Sequence, residues 1–296
     1  MGKIVARMRG GLGNQLFILA CAYYVKGICD TDTEIVLDTR EYKNYKVRNF
    51  EIFDLIQDEK LRLFDEKVDK SIVYECSRKI YHIVQKFMGN HEPIKPLLLN
   101  NGLIYSKRSA EGIENIQIKK SVFLYGYFQD AKMAIKVKKI LKDYICDNDN
   151  YEKIELDPHV NYIAVSIRWG EDYIRQGWPI CSERYFQEGI QEIINEKYKN
   201  KEVCVLFFSD EIEKTKNISC NVHKKYIRNL TSAQQLLLMK KCQDFVISNS
   251  SFSWWGAFLG ASKESIVIAP DIWYATKEKT TETNLLYENM RIRKMN

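Results

Sequence analysis

DFVISNSSFSWWGAFLG, residues 244–260, is the stretch that decides the fold class. Its first four residues end in a β-branched and aromatic run, which is typical of a short buried strand. A helix is predicted over residues 254–259, and one of the serines before it is the expected N-cap. A polar cluster therefore lies between the carboxyl end of a strand and the start of a helix, which is the pattern of an α/β sheet.

The polar cluster is a candidate ligand site because free backbone N–H groups and the helix dipole favour an anion at such a place. The alternative is an ordinary capped turn whose tryptophans pack in the core. Many hydroxyl and amide groups crowded beside three aromatic rings favour a ligand site. The candidate substrate-binding residues here are Asn249, Ser250, Ser251, Phe252 and Ser253.

Length and composition indicate a globular chain of one large or two ordinary domains, with 296 residues and a net charge of +6. No apolar run is long enough to span a membrane, and no nucleic-acid-binding motif occurs in the sequence. The eight cysteines are scattered without a CxxC pair, which argues against a zinc site or a disulfide scaffold. A cytoplasmic location, with a possible peripheral position at the inner face of the membrane, is the expected localisation.

Strands and helices alternate in two series, which predicts two doubly wound α/β domains facing each other across a cleft. Residues 1–155 form the first predicted domain and residues 156–296 the second, with a polar and acidic linker at Cys146–Pro158. The first series opens with a strand at Lys3–Met8, a glycine-rich turn and a helix at Asn14–Tyr24. The second opens with a strand at Asn161–Ile167 and is predicted to end with a strand at Ser265–Ala269.

The glycine-rich turn RGGLGNQL, residues 9–16, follows the first strand and is a second candidate ligand site. Glycines allow a close approach of the backbone to a ligand, and two amide side chains follow at a helix N-terminus. The turn is not a dinucleotide fingerprint, because Leu16 replaces the third glycine. The predicted substrate-binding residues are Gly10, Gly11, Gly13, Asn14 and Gln15.

Two further strand ends carry charged residues. The first strand of the second domain runs into SIRWGEDY, residues 166–173, and Arg168 there offers a planar fork that fits phosphate oxygens. Asp210 follows the next strand and suits a guanine edge, a ribose or simply an N-cap. A surface ion pair is the alternative for Arg168, but the convergence of three polar strand ends on one sheet edge favours a ligand site.

Two DxD patterns, Asp30–Asp32 and Asp147–Asp149, resemble metal-binding motifs. Both lie in predicted surface turns away from these strand ends, so solvated turns are the preferred interpretation. Neither a metal ion nor another cofactor is expected, and the charge of a phosphate would be neutralised by Arg168 and backbone N–H groups.

Two predicted helices, Ser71–Lys86 and Ala131–Tyr144, carry several basic residues. Solvated helix faces are the first interpretation. A peripheral contact with anionic lipid is the second.

Taken together, the motifs resemble those of the bacterial α-1,2-fucosyltransferases of glycosyltransferase family 11. The resemblance spans nearly the whole chain and is carried by residues 10–17, Ser209-Asp210, residues 248–260, and by residues 165–173, which look like that family's His-x-Arg-Arg-Gly-Asp-Tyr motif. In that motif Ser166 stands where the family often has histidine, Trp169 replaces the second arginine, and Glu171 is an extra residue.

The resemblance implies a GT-B-like fold and inverting, metal-independent transfer of L-fucose from GDP-fucose to the 2-hydroxyl of a terminal β-galactoside. It further implies O-antigen or capsular polysaccharide synthesis, with a galactose-terminated oligosaccharide or glycolipid as acceptor. The first domain would hold the acceptor and the second the GDP-sugar. Arg168 would hold the diphosphate, Asp210 the guanine or ribose, Ser166 a part of the donor, and Asp172 or Glu171 would be the general base.

Three alternatives remain at this stage. The chain could transfer another sugar from a GDP or UDP donor, or it could be a carbohydrate-binding protein without catalytic activity. A Rossmann dehydrogenase is disfavoured by the missing third glycine.

Overall fold

A computed structural model describes residues 2–28, 33–44, 47–88, 102–106, 113, 121–145, 155–274 and 284–296. The chain divides into two compact units, one formed by Met1–Ile52 and Ile56–Tyr144, the other by Phe53–Leu55 and Ile145–Asn296. Most of the predicted linker (residues 146–154) and both DxD patterns (residues 30–32 and 147–149) lie outside the described residues.

The first unit is built on a parallel sheet of five strands in the order β3-β2-β1-β5-β4. The strands are β1 (Lys3–Arg7), β2 (Glu34–Asp38), β3 (Leu61–Leu63), β4 (Leu103–Ser106) and β5 (Ser121–Gly126). The helices are α1 (Leu12–Ile28), α2 (Glu66–Asp69), α3 (Ile72–Met88) and α4 (Ala131–Tyr144). The predicted basic helices thus correspond to α3 and α4.

Helix α1 begins at Leu12, two residues before the predicted start at Asn14. Gly10 has a φ of +71°, a left-handed conformation that turns the chain sharply after β1. Because the turn is complete at Gly11, Gly13 lies inside the helix and is buried there. The predicted glycine-rich loop is therefore one tight turn followed directly by a helix.

Two buried aspartates tie charged side chains to this sheet. Asp69 on α2 accepts hydrogen bonds from Lys3 at 2.7 Å and from Arg62 Nη2 at 2.9 Å. Asp38 at the end of β2 is paired with Arg7 Nη1 at 2.8 Å and with the Arg40 guanidinium. Such pairs stabilise a fold only while both charges are present, because an uncompensated buried charge is costly.

The second unit is built on a parallel sheet of six strands in the order β11-β10-β9-β6-β7-β8. The strands are β6 (Asn161–Ile167), β7 (Val203–Ser209), β8 (His223–Tyr226), β9 (Asp244–Ile247), β10 (Val267–Pro270) and β11 (Met290–Arg293). The helices are α5 (Glu171–Arg175), α6 (Glu183–Lys197), α7 (Ser232–Lys240) and α8 (Ser251–Gly260). The fold is α/β with two parallel sheets, which confirms the predicted fold class.

The sequence analysis did not predict strand β11. Its sequence, MRIR, is short and half exposed, so it lacks the apolar run that marks a buried strand. Arg291 and Arg293 of this edge strand instead pair with glutamates on α6, among them Glu196 at 2.5 Å and Glu188 at 2.7 Å. Long-range ion pairs of this kind are not visible in a local sequence pattern.

Two helix starts in this unit differ from the prediction. Helix α7 carries a capping box, but its cap is Thr231 with Gln234 rather than the predicted pattern from Ser232. Helix α8 begins at Ser251, three residues before the predicted start at Trp254. Within the described residues, none of the helices combines the length and the hydropathy needed to cross a bilayer.

Candidate active site at the strand ends of the second unit

Three neighbouring strands of the second sheet end beside one another. β6 lies between β9 and β7 in a parallel arrangement, with Ser166 opposite both Phe208 and Ile247. Their carboxyl ends therefore meet at one sheet edge, which is where open α/β sheets bind ligands. The residues that follow these ends are Arg168, Asp210 and the polar cluster at residues 248–253.

The guanidinium of Arg168 is held by two carboxylates. Its Nη2 donates to Asp172 Oδ2 at 2.6 Å, and its Nη1 donates to Asp210 Oδ2. The Arg168 guanidinium also lies 5.3 Å from the centre of the Tyr173 ring, which places it for a cation–π contact. Its side chain remains 17% exposed, so an anion from solvent can reach it.

Asp210 also holds the turn that follows β6. Its Oδ1 accepts the Trp169 N–H at 2.9 Å, and its Oδ2 accepts the Gly170 N–H at 3.0 Å. A Cβ on Gly170 would lie 2.4 Å from Asp210 Oδ2, so glycine is required for this close approach. The Asp210 carboxylate thus occupies a small cradle of backbone N–H groups and a guanidinium, as an anion would.

Trp169 stands where the resembled family has a second arginine, and its side chain points into the core. Its indole Nε1 donates to the Cys181 carbonyl at 2.8 Å, and its ring packs edge-on against Phe186. The residue is 7% exposed. Trp169 therefore fixes the turn from the inside and leaves Arg168 as the arginine of this motif.

Tyr173 connects Arg168 to the start of α8. Its hydroxyl donates to the Asn249 carbonyl at 2.7 Å, while its ring stacks on Trp178. Burial raises the pKa of Tyr173 above its ordinary value, with Arg168 acting in the opposite direction, so the phenol stays protonated and able to donate. The sequence analysis did not single out Tyr173 or Trp178, although Tyr173 is part of the motif that it quoted.

The serine hydroxyls of the cluster differ in their surroundings. Ser253 Oγ lies 2.7 Å from Ser166 Oγ and 3.1 Å from Ser248 Oγ, and all three residues are buried. Ser250 is the N-cap of α8, and in this fully described segment its side chain makes no capping hydrogen bond. Ser251 and Phe252 are half-buried in the first turn of α8.

Asn249 lies just before this helix start and is only 4% exposed. Its Nδ2 donates to the Pro179 carbonyl at 2.9 Å. Its Oδ1 has no hydrogen-bond partner among the residues that the structure describes. A buried acceptor of this kind normally has a partner, so Asn249 is a candidate acceptor for a hydroxyl or N–H group of a ligand.

The predicted residues of the glycine-rich turn lie together in the first unit. Gln15 is fully buried, and its amide donates to the Gly10 and Asn49 carbonyls and accepts the Glu51 N–H. These three bonds hold the turn in shape. Asn14 is half-buried, and its Oδ1 accepts a hydrogen bond from Gln129 at 2.8 Å.

Arg9, at the start of the same turn, is a candidate that the sequence analysis left out. Its guanidinium lies 4.9 Å from the Tyr127 ring centre and 5.3 Å from that of Tyr125, and it pairs with Glu41 at 3.2 Å. Its position directly before Gly10 was the available signal. An arginine framed by two phenol rings is a suitable contact for a polar ligand.

Among the residues that the structure describes, no group of three or more histidine, cysteine, aspartate or glutamate side chains is arranged to hold a metal ion. The expectation that no cofactor is needed stays a prediction, since both DxD patterns fall on residues that are not described.

The sequence matches the family model described as "Glycosyl transferase family 11" over residues 4–293. The match covers nearly the whole chain and includes both candidate ligand turns. The chain belongs to glycosyl transferase family 11. This family 11 chain is therefore a glycosyltransferase, and the carbohydrate-binding and dehydrogenase alternatives are no longer needed.

Two curated relatives come from Escherichia coli. The family 11 chain is 29% identical to an α-1,2-colitosyltransferase, with 94% of each chain covered. It is also 29% identical to the O-antigen biosynthesis glycosyltransferase WbnK, with 93% of this chain and 96% of the relative covered.

The crystal structure of NodZ α-1,6-fucosyltransferase soaked with GDP-fucose has a similar fold. The TM-score is 0.55 at 13% identity, and the match covers 87% of this chain and 92% of NodZ. The solved neighbours are GT-B-like, in agreement with the predicted fold class. At this identity the likeness concerns the fold alone.

Proposed function

We propose that this family 11 glycosyltransferase transfers L-fucose from GDP-fucose to the 2-hydroxyl of a terminal β-galactoside, with inversion and without a metal ion. O-antigen or capsular polysaccharide synthesis is the proposed context. The proposal is supported by the family, by the α-1,2 linkage in the name of one relative and by the O-antigen role in the name of the other.

One observation carries the proposal. Arg168 and the N-terminal turn of α8 are joined through Tyr173, which faces the guanidinium with its ring and bonds Asn249 with its hydroxyl. A cation and the first N–H groups of a ten-residue helix are thereby held near one another at the same sheet edge. This combination suits the two phosphates of a nucleotide sugar.

The chemistry follows from this arrangement. The donor's bond from the anomeric carbon to the diphosphate breaks, and the electron pair leaves with GDP. Arg168 and the α8 N–H groups stabilise the charge that develops on the departing diphosphate. The acceptor's 2-hydroxyl attacks the opposite face of the anomeric carbon, which inverts its configuration, and a carboxylate takes the hydroxyl proton.

The structure separates the two candidate bases. Asp172 contacts Arg168 at 2.6 Å and thus lies beside the proposed diphosphate site. Glu171 instead pairs with Arg175, and both side chains are largely exposed to solvent. We therefore assign the base role to Asp172 and regard Glu171 as a surface residue of α5.

The second unit is the proposed donor side, with Arg168, Asp210 and residues 249–253 as its contacts. The first unit is the proposed acceptor side, where Gly10, Gly11 and Asn14 shape the turn that receives the galactoside. The proposed location is the cytoplasm, at the inner face of the membrane where a glycolipid acceptor would be found.

The test is a turnover assay with GDP-fucose and a panel of β-galactosides in the presence of EDTA. We expect GDP release that depends on the galactoside and a product whose α-1,2 linkage is assigned by NMR. A different linkage would overturn the regiochemistry, and loss of turnover in EDTA would overturn the metal-independent mechanism.

A second candidate is transfer of a different GDP- or UDP-linked sugar. Colitose is favoured among these by the name of one relative, the α-1,2-colitosyltransferase. Colitose lacks only the 3-hydroxyl of fucose, so the two donors differ by one hydrogen-bonding group. A competition assay with both donors and mass analysis of the products decides between them.

A further inference from the structure

Helix α3 (Ile72–Met88) exposes an apolar face to solvent. Ile72 is 76% exposed, Val73 60%, Ile80 51% and Ile83 57%. With about 100° between successive residues of a helix, these side chains share one arc about 100° wide. We call these four residues and the exposed Cys76, which lies on the same arc, the α3 stripe.

The side of α3 that faces the protein is more polar than the stripe. Tyr74 is 2% exposed and stacks on Phe123 at 4.5 Å. Glu75 accepts hydrogen bonds from Arg40 at 2.9 Å and from Arg78 at 3.3 Å. The helix is thus held to its unit by an aromatic contact and ion pairs, with its aliphatic side outward. This is the reverse of an ordinary surface helix.

Positive charge surrounds the stripe. Lys67 and Lys70 on and just after α2 are exposed, as is Lys79 at the edge of the stripe, and Val68 on α2 adds a side chain that is 63% exposed. Glu66 is the exposed acid among residues 66–70. An apolar arc flanked by lysines is the pattern of a helix that lies in the interface of an anionic membrane.

We propose that the α3 stripe docks on the surface of a lipid bilayer that contains anionic lipids. The lysines would contact the headgroups while the aliphatic side chains enter the acyl boundary. A second copy of the chain is a poorer occupant, because pairing two stripes would bring their lysines together. The proposal concerns this surface alone and does not depend on the donor sugar.

Vesicle sedimentation of the full chain tests the proposal, using phosphatidylcholine vesicles with and without about one-third phosphatidylglycerol. The test variant is Val73→Ser/Ile80→Ser. The matched control is Ile135→Ser on α4, since Ile135 and Ile80 are both 51% exposed. We expect the wild type to bind the anionic vesicles, the stripe variant to bind about tenfold less, and the control to bind normally.

Five results would overturn the proposal. Equal binding of the stripe variant, or loss of binding by the Ile135→Ser control, would show that another surface is responsible. Equal binding to the neutral vesicles would remove the role of charge. A marked drop in the melting temperature of the stripe variant would show that the stripe is packed within the folded protein. A dimer that the stripe variant dissociates, without vesicle binding, would identify a second copy as the occupant.

Discussion

At the scale of residues, Arg168 is the centre of the proposed donor site, and its charge is shared by Asp172 and Asp210. Two carboxylates around one guanidinium leave the ligand-free cluster with an excess of negative charge. A diphosphate must therefore compete with these carboxylates for the arginine. Asp210 is bound by two backbone N–H groups as well, so Asp172 is the partner that is freer to move.

This difference predicts distinct effects for the two neighbouring acids of α5. We expect Asp172→Asn to lower kcat by about 100-fold or more, because the amide cannot accept the hydroxyl proton. We expect Glu171→Gln to change kcat less than about threefold, because Glu171 contacts only the exposed Arg175 in its described surroundings. Steady-state kinetics with saturating donor measures both, and the reverse ranking would transfer the base role to Glu171.

The sequence indicated which residues gather at this edge, but not how their polar groups are used. Arg168, Asp210 and Asn249 were predicted because charged and amide groups follow three apolar strands. The inward hydrogen bonds of Ser253 and the core position of Trp169 depend on tertiary packing. Serine is equally common as a cap, a ligand contact or a buried donor, so its local pattern could not separate these roles.

At the scale of elements, the N-terminus of α8 is the feature on which anion binding depends. The N–H of Ser251 is at the first helical position and has no intrahelical acceptor. Ser250 before it is extended, with φ −122° and ψ 134°, which is compatible with a following proline.

Ser251→Pro should therefore remove one N–H from the proposed phosphate site without breaking the helix. We expect a melting temperature close to that of the wild type and GDP binding that is about fivefold weaker. Ser251→Ala is the matched control, because it loses the hydroxyl but keeps the N–H. Unchanged GDP affinity in the folded proline variant would show that this N–H does not contact the nucleotide.

The buried ion pair of α2 gives a second prediction at this scale. Hydrogen bonds from Arg62 lower the pKa of Asp69, although burial acts in the opposite direction. A carboxyl whose pKa is lower in the folded state stabilises the fold above its unfolded pKa of about 4, and this contribution is lost as the pH falls further.

Asp69→Asn should thus lower the free energy of unfolding by about 2 kcal/mol near neutral pH, and by progressively less towards about pH 3. Urea unfolding over this pH range measures the difference. Asp143→Asn on the exposed surface of α4 is the control and should have little effect. A loss for Asp69→Asn that is independent of pH would mean that the carboxylate charge is not what stabilises α2.

At the scale of the whole molecule, alternating strands and helices predicted two parallel α/β sheets, and the structure confirms them. Strong apolar runs such as β6 and β7 made this possible, since buried parallel strands need little else to be recognised. Edge strand β11 and the start of α8 were missed or misplaced because ion pairs and core packing decide them. The exposed aliphatic side of α3 also needed the structure, because an apolar arc in the sequence normally indicates a buried face.

The most direct test of the central claim is a calorimetric titration of GDP into the protein in EDTA. We predict binding by the wild type, at least about tenfold weaker binding by Arg168→Ala, and normal binding by Arg175→Ala, whose side chain is 78% exposed. GDP binding that requires a divalent ion, or that survives the loss of Arg168 unchanged, would contradict the account.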